Sequence, residues 1–330
     1  MRDHAIRVHE HGGPDVLRWE AVDVGDPGPG EVRVRHTRVG VNFIDTYHRS
    51  GLYPVELPSG LGLEAAGVIE AVGAGVSDLD PRLREGQRVV YAMGAPGAYA
   101  TRRVMAAATL VPLPDDVSDA DAAASFLKGL TVQFLVRRCH PVAPGDAVLV
   151  HAAAGGVGLL LCQWAKHLGA TVIGTAGSEA KAALAREHGA DHVIRYESED
   201  FVARTRELTG GEGVAAVYDG VGAATFDGSL RCLRPLGMMV SFGNASGPPP
   251  AVEPRRLAQL GSLFFTRPTL YTYTRTRADL LRMADDLFAV MGSGAVRATI
   301  GQTSPLAAAR LAHEALEGRA TTGATLLDPA

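Results

Sequence analysis

Between His151 and Ser178 the chain reads HAAAGGVGLLLCQWAKHLGATVIGTAGS: an apolar run, a cluster of small residues, and a second apolar run that stops at glycine and serine. Small residues let a backbone approach a phosphate without a Cβ in the way. A helix starting there turns its unbonded N–H groups toward the same anion. Ala152, Gly155 and Gly158 fall at the spacing AxxGxxG, a dinucleotide fingerprint with alanine in place of the first glycine. The competing reading is tight helix–strand packing with no ligand. NAD sites usually carry an acid about 20 residues beyond the glycines, bonded to the ribose 2′-OH. This chain has Gly177 and Ser178 there, with Lys181 just beyond. A 2′-phosphate needs donors and positive charge. Lys181 offers both and Gly177 leaves room, so NADP is expected rather than NAD. Taken alone, a lysine at position 181 is more often a solvated surface residue.

A second group of polar tips lies in NFIDTYHRSGLY, where Asn42, Asp45, Tyr47 and Tyr53 follow one another on a loop-rich segment. Tyrosine can stack on a flat ring and donate its O–H to a carbonyl. Packing at half-buried positions explains either tyrosine equally well. Asp45 reads as a structural residue that holds the loop through a backbone bond. Cys139, Cys162 and Cys232 are widely spaced and odd in number, which argues against a disulfide framework or a CxxC site. The 11 histidines are scattered.

The elements that must position these residues follow from pattern. From about Ile6 to Pro114 short apolar runs alternate with Gly and Pro. EVRVRHTRVGV has period-two alternation and QRVVYA is another strand candidate, so this half reads as mostly β. DDVSDADAAASFLKGLTVQFLVRRC then turns helical, with Ser118 and Asp121 spaced as a capping box. From about Ala147 five apolar runs (AVLVHA, TVIGTA, DHVIRY, VAAVYDG, GMMVSFG) read as strands, the earlier ones separated by helices, the signature of a parallel sheet. Helices at Arg277–Met291 and Pro305–Arg319 precede a final apolar GATLLD. With 330 residues, 46% hydrophobic, the chain is long enough for about two domains and a substantial core. A net charge of -4 with no basic, aromatic-interleaved patch gives no sign of nucleic acid or membrane partners. No apolar segment is long enough to span a bilayer, the N-terminus lacks a signal-peptide core, and a reduced cytoplasmic enzyme is expected.

Longer stretches carry a resemblance. HGGPDVL, GVNFIDTYHRSGLYP, LPSGLGLEAAGVI, AAASFLKGLTVQFL, HAAAGGVG, VYDGVG, MVSFGNASG, TRPTL and RATTGATLL together resemble the zeta-crystallin-like NADPH:quinone oxidoreductases of the medium-chain dehydrogenase/reductase superfamily. The resemblance implies an α/β architecture. A GroES-like, mostly-β catalytic domain would span residues 1–127. A Rossmann domain with a doubly wound parallel sheet would span 128–266. A C-terminal segment, 267–330, would return to the catalytic domain, with the active site in the interdomain cleft. It places Asn42 near the nicotinamide and Tyr47 and Tyr53 along the substrate cleft, and these three are the catalytic candidates. Thr131 matches the nicotinamide ribose position. Gly155, Gly156, Val157 and Gly158 match the diphosphate turn. Gly177, Ser178, Lys181 and Tyr196 match the 2′-phosphate pocket. Phe242 and Asn244 match the strand end beside the nicotinamide, and Arg319 matches a distal arginine at the phosphate end of the cofactor. Read alone, Arg319 is a helix C-terminal charge, and Arg267 is either a cleft residue or a structural ion pair. Lys128 is expected to be structural or at a helix end rather than a general acid.

Zinc alcohol dehydrogenases of the same superfamily carry a catalytic Cys and a GHE motif. The matching stretches here are GVNFID and GLGLEAAG, with Asn42 and Leu63 in the ligand positions. A catalytic zinc site needs about three protein ligands, so no metal is expected. Alcohol oxidation usually relies on a Lewis acid. A substrate that takes hydride readily fits better: a quinone, with hydride or stepwise electron transfer open, or alternatively the activated C=C of an enone or alkenal. RNA binding or a structural, crystallin-like role is the remaining class. The resemblance also implies a homodimer joined through edge strands. GSLFFTRPTLYTYT, aromatic and nearly free of acid, is the candidate edge, although Phe264 and Phe265 could instead be buried within their own chain.

Overall fold

The computed structural model describes residues 2–329. The described chain forms two compact units, one within residues 2–127, 276–288 and 298–329, the other of residues 128–275 and 289–297. The C-terminal segment is therefore divided: residues 267–275 and 289–297 belong with the second unit, the remainder with the first.

The first unit is mostly β. Strand Glu31–Val41 pairs antiparallel with Glu64–Val72, with Arg102–Ala106 and with the C-terminal strand Ala324–Asp328. A smaller sheet joins Leu17–Val22, Asp3–Val8 and Ser59–Gly60. The period-two alternation has its expected cause. Val32, Val34 and His36 are buried while Arg33 and Arg35 on the opposite face form ion pairs. One core gathers Val32, Val34, Ile69, Val89 and Tyr91 with Leu306, Ala309, Ala312 and Leu327. The amphipathic helix Ala309–Glu317 is thus tied into the first unit by its apolar side. Helix Phe43–Ser50 (α1) follows the long strand directly and ends at Gly51, whose φ of 81° is a left-handed stop.

In the second unit six parallel strands run across the sheet in the order His192–Arg195, Thr171–Ala176, Ala147–Val150, Val214–Asp219, Leu233–Ser241, Phe264–Thr266. In chain order this is 3-2-1-4-5-6, the Rossmann arrangement, whose strand order reverses beside the first strand. Leu149, Ile173, Val217, Phe226 and Met239 fill its core. Helix Asp119–Phe134 opens on the N-cap half of the expected capping box: Ser118 Oγ accepts from Asp121 N–H at 3.0 Å and donates to Asp121 Oδ2 at 2.7 Å. It continues into a wider π-helical turn, Leu135–Cys139. Lys128 is buried in the middle of this helix, not at its end. Phe264–Thr266 is the edge strand. Phe264 is 55% exposed, whereas Phe265 packs on the core. The three cysteines are free and buried.

Candidate active site

Strand Ala147–Val150 gives way to a turn at His151. Ala152 takes a left-handed φ of 51°, which a Cβ disfavours and which explains why glycine is the commoner residue in the first fingerprint position. The turn closes with Gly155 N–H donating to Ala152 O at 2.9 Å, and helix Gly156–His167 begins immediately. The N–H groups of Gly156, Val157 and Gly158 lie in its first turn, where no intrahelical acceptor exists. Gly155, Gly156 and Val157 are half-buried and Gly158 is buried. A Cβ on Gly158 would overlap Ala152 O and lie 2.8 Å from Ala153 C, so this glycine lets the helix pack on the turn.

His151 anchors the turn from beneath. Its Nε2 is 2.9 Å from Ser229 Oγ, and Ser229 donates to the buried Asp219 at 2.9 Å. Its Nδ1 is 3.0 Å from Thr175 Oγ1. Burial lowers the His151 pKa, and nearby Asp219 opposes that shift. Asp219 also accepts from Val221 and Gly222 N–H groups, so one carboxylate holds the end of the fourth strand. Sequence reading missed this network, because a lone His after an apolar run carries no sign of partners 24 and 78 residues away.

At the end of the second strand Ser178 caps helix Glu179–Glu187, its Oγ accepting from Lys181 N–H at 3.3 Å. Tyr196 reaches across from the third strand. A Cβ on Gly177 would lie 2.5 Å from the Tyr196 hydroxyl, so glycine is what admits the tyrosine here. Glu179, the first acid after this strand in the sequence, is bound by Arg186 at 2.9 Å and Arg195 at 3.5 Å. Gly177, Ser178, Lys181 and Tyr196 are thus brought together. Phe242 N–H donates to Asp219 O at 2.9 Å and its ring lies against Gly220. Asn244 is buried just beyond. Arg267 donates to Ser241 O and Gly243 O and so pins the same strand end. Thr131 is half-buried on helix Asp119–Phe134.

In the first unit Asn42 caps α1. Its backbone N–H donates to Asp45 Oδ2 at 2.9 Å and its Nδ2 donates to Glu64 Oε2 at 2.8 Å. Glu64 is fully buried, and its other oxygen accepts from Leu127 N–H at 2.7 Å. Tyr47 is buried and Tyr53 half-buried, their rings edge-on at 5.2 Å. Arg319 is exposed just past helix Ala309–Glu317 with φ 56°. Leu63 is buried beside Glu64. Among the described residues no group of three His, Cys, Asp or Glu side chains could hold a metal ion.

Two family profiles match the chain: an alcohol dehydrogenase GroES-like domain over residues 28–115 and a zinc-binding dehydrogenase over residues 156–289. A quinone oxidoreductase of Pseudomonas aeruginosa is 50% identical over 325 residues, 98% of this chain and 99% of that one. A 2-haloacrylate reductase of a Burkholderia species is 45% identical over 335 residues, 98% of each chain. The crystal structure of Escherichia coli quinone oxidoreductase complexed with NADPH superposes with a TM-score of 0.95 at 48% identity, covering 99% of this chain and all of the other. The chain belongs to the quinone oxidoreductase family of the medium-chain dehydrogenase/reductase superfamily.

Proposed function

We propose that this protein is an NADPH-dependent oxidoreductase that reduces quinones. The observation that carries the cofactor is the end of the second Rossmann strand: a glycine that admits Tyr196, a serine cap, Lys181, and an acid already engaged by two arginines. The E. coli relative that binds NADPH supports the same choice. NADPH when bound supplies a hydride equivalent. The residues of this chain bind and orient it. The first turn of helix Gly156–His167 offers N–H donors to the diphosphate. Ser178, Lys181 and Tyr196 receive the 2′-phosphate. The family resemblance assigns Phe242, Asn244, Thr131 and Asn42 to the nicotinamide end and Arg319 to the phosphate end. Tyr47 and Tyr53 present aromatic faces and hydroxyls to a flat acceptor, the hydroxyls able to donate to its carbonyl oxygens. Such a site works by orientation and exclusion of water rather than strong acid–base catalysis.

A second reading, reduction of an activated C=C, draws on the 2-haloacrylate reductase relative. Steady-state kinetics with NADPH and NADH against benzoquinones, naphthoquinones and activated enones tests both. Turnover of quinones with NADPH is expected, and turnover of enones alone would displace the first reading. We further propose a cytoplasmic homodimer. The reduced, buried cysteines support the compartment, and the exposed edge at Phe264 supports pairing across a two-fold axis. Among the described residues no helix is long and apolar enough to cross a membrane. Sedimentation at micromolar concentration should give twice the chain mass, and an active monomer would refute the dimer.

A further inference from the structure

Behind α1 lies a line of buried polar side chains that the functional reading does not use. Tyr99 donates its O–H to Asp45 Oδ2 at 3.0 Å. His313, from helix Ala309–Glu317, places Nε2 3.1 Å from the same hydroxyl oxygen, and Arg49 Nη1 lies 2.9 Å from His313 Nδ1. Arg49 also grips Glu317 through two N–H groups, at 2.7 and 3.0 Å, and Gly12 O at 3.0 Å. Asp45, Tyr99 and His313 are fully buried and Arg49 is nearly so.

Every proton in this line has one possible place. A guanidinium only donates, so His313 Nδ1 must accept. The ring's single hydrogen is then on Nε2 and points to the Tyr99 oxygen. Tyr99 has spent its own hydrogen on Asp45. The chain therefore runs in one direction, from Arg49 through His313 and Tyr99 to Asp45. Its last acceptor, Asp45 Oδ2, also takes the Asn42 backbone N–H that starts α1. A connected buried network fixes geometry through its bonds, and one broken link leaves a desolvated group behind.

We propose that Tyr99 and His313 are positioning residues for Asn42: the directed chain holds Asp45 in one rotamer, and Asp45 holds the N-terminus of α1 and the amide that Glu64 anchors on its other side. This rests on the reading of Asn42 as a nicotinamide-side residue. It assigns a role in the reaction to a histidine 264 residues from its Arg49 partner, on a helix that carries none of the candidate catalytic groups.

The test combines spectroscopy and kinetics on the full chain. Nitrogen-15 spectra, assigned by comparison with His313→Gln, should show His313 protonated on Nε2 and bare on Nδ1 at neutral pH. Tyr99→Phe keeps the ring and removes both links. It should lower kcat for a naphthoquinone about tenfold or more, while KM for NADPH stays within about twofold. His313→Leu should match it. His313→Gln, whose amide oxygen can accept from Arg49 while its nitrogen donates to Tyr99, should recover most of the loss. The opposite tautomer, or an unchanged kcat in both Tyr99→Phe and His313→Leu while Asn42→Ala lowers it, would overturn the positioning role alone. An unchanged kcat in Asn42→Ala would overturn the reading of Asn42, and the proposal with it.

Discussion

Lowering the pH from 7 to 5 should unload a defined part of the first unit's stability through His36. This side chain is buried in strand Glu31–Val41. Its Nδ1 is 2.6 Å from Ala100 O, which can only accept, so Nδ1 carries the hydrogen. Nε2 is then bare and accepts from the Tyr91 hydroxyl at 2.8 Å. Protonating Nε2 would require Tyr91 to turn its O–H away and would place a second cation near Arg103, which lies over the Tyr91 ring at 5.6 Å. Burial, reinforced by Arg103 and opposed by the Ala100 bond, brings the His36 pKa down from 6.5 to about 4. The folded pKa lies below the unfolded one. The unfolded chain therefore binds more protons between these values, and stability falls as pH falls through that window. The full difference is about 3 kcal/mol, and between pH 7 and pH 5 the change is about 2 kcal/mol. Urea unfolding of the wild-type protein and His36→Gln at both pH values isolates it. The stability gap between the two proteins should narrow by that amount at pH 5. A gap that does not change with pH refutes the assignment of a neutral, hydrogen-bonded His36.

Replacing Lys181 with alanine should raise KM for NADPH about tenfold or more, the worth of one charged hydrogen bond, and leave KM for NADH nearly unchanged. Equal effects on both cofactors would show that Lys181 does not read the phosphate. Gly158→Ala forces a Cβ against the backbone of Ala152 and Ala153, so it should cost roughly 1–3 kcal/mol of stability and weaken NADPH binding, as seen in thermal unfolding with and without cofactor. An alanine variant as stable as the parent would mean the turn relaxes freely. Prolonged dialysis against a chelator should leave activity intact and elemental analysis should find no stoichiometric zinc, given Asn42 and Leu63 in the ligand positions; loss of activity with release of one metal per chain would contradict this.

Much of the fold is legible because it depends on local periodicity. Alternation in EVRVRHTRVGV and the strand–helix rhythm after Ala147 each follow from which side of an element must be dry. The Gly-rich turn is legible for the same reason: its residues adjoin one another. What is not legible is anything that depends on direction. Glu179 adjoins the strand end in sequence, yet its carboxylate is held by Arg186 and Arg195. Lys128 follows two apolar residues and looks like a helix end, but the helix runs on to Phe134. The partners of His151 and His313 lie far away in sequence and meet them only through topology. Residues 267–275 and 289–297 follow the second unit for the same reason, since no composition change marks the crossing.

The choice between cofactors at Gly177 is finally a question of magnitude, because one acid does approach the site. Glu197 Oε1 lies 3.5 Å from where a Cβ on Gly177 would be, on the same side as the Tyr196 hydroxyl. Glu197 is exposed, however. Two charges about 4 Å apart in water interact by about 1 kcal/mol, and salt reduces that further. An exposed side chain can also swing away at little cost. On the proposed 2′-phosphate contacts the opposing terms are donors, the Lys181 ammonium, the Tyr196 hydroxyl and the Ser178 hydroxyl, and a hydrogen bond to a charged phosphate is worth about 1.5–3 kcal/mol each. Even one such bond outweighs the repulsion. An acid selects NAD when it is fixed at the end of the second strand and accepts from the ribose. Glu197 comes from the third strand's side and is not fixed there, while the acid that follows the second strand, Glu179, is neutralised by arginines. The balance of charge at this strand end therefore favours the phosphorylated cofactor.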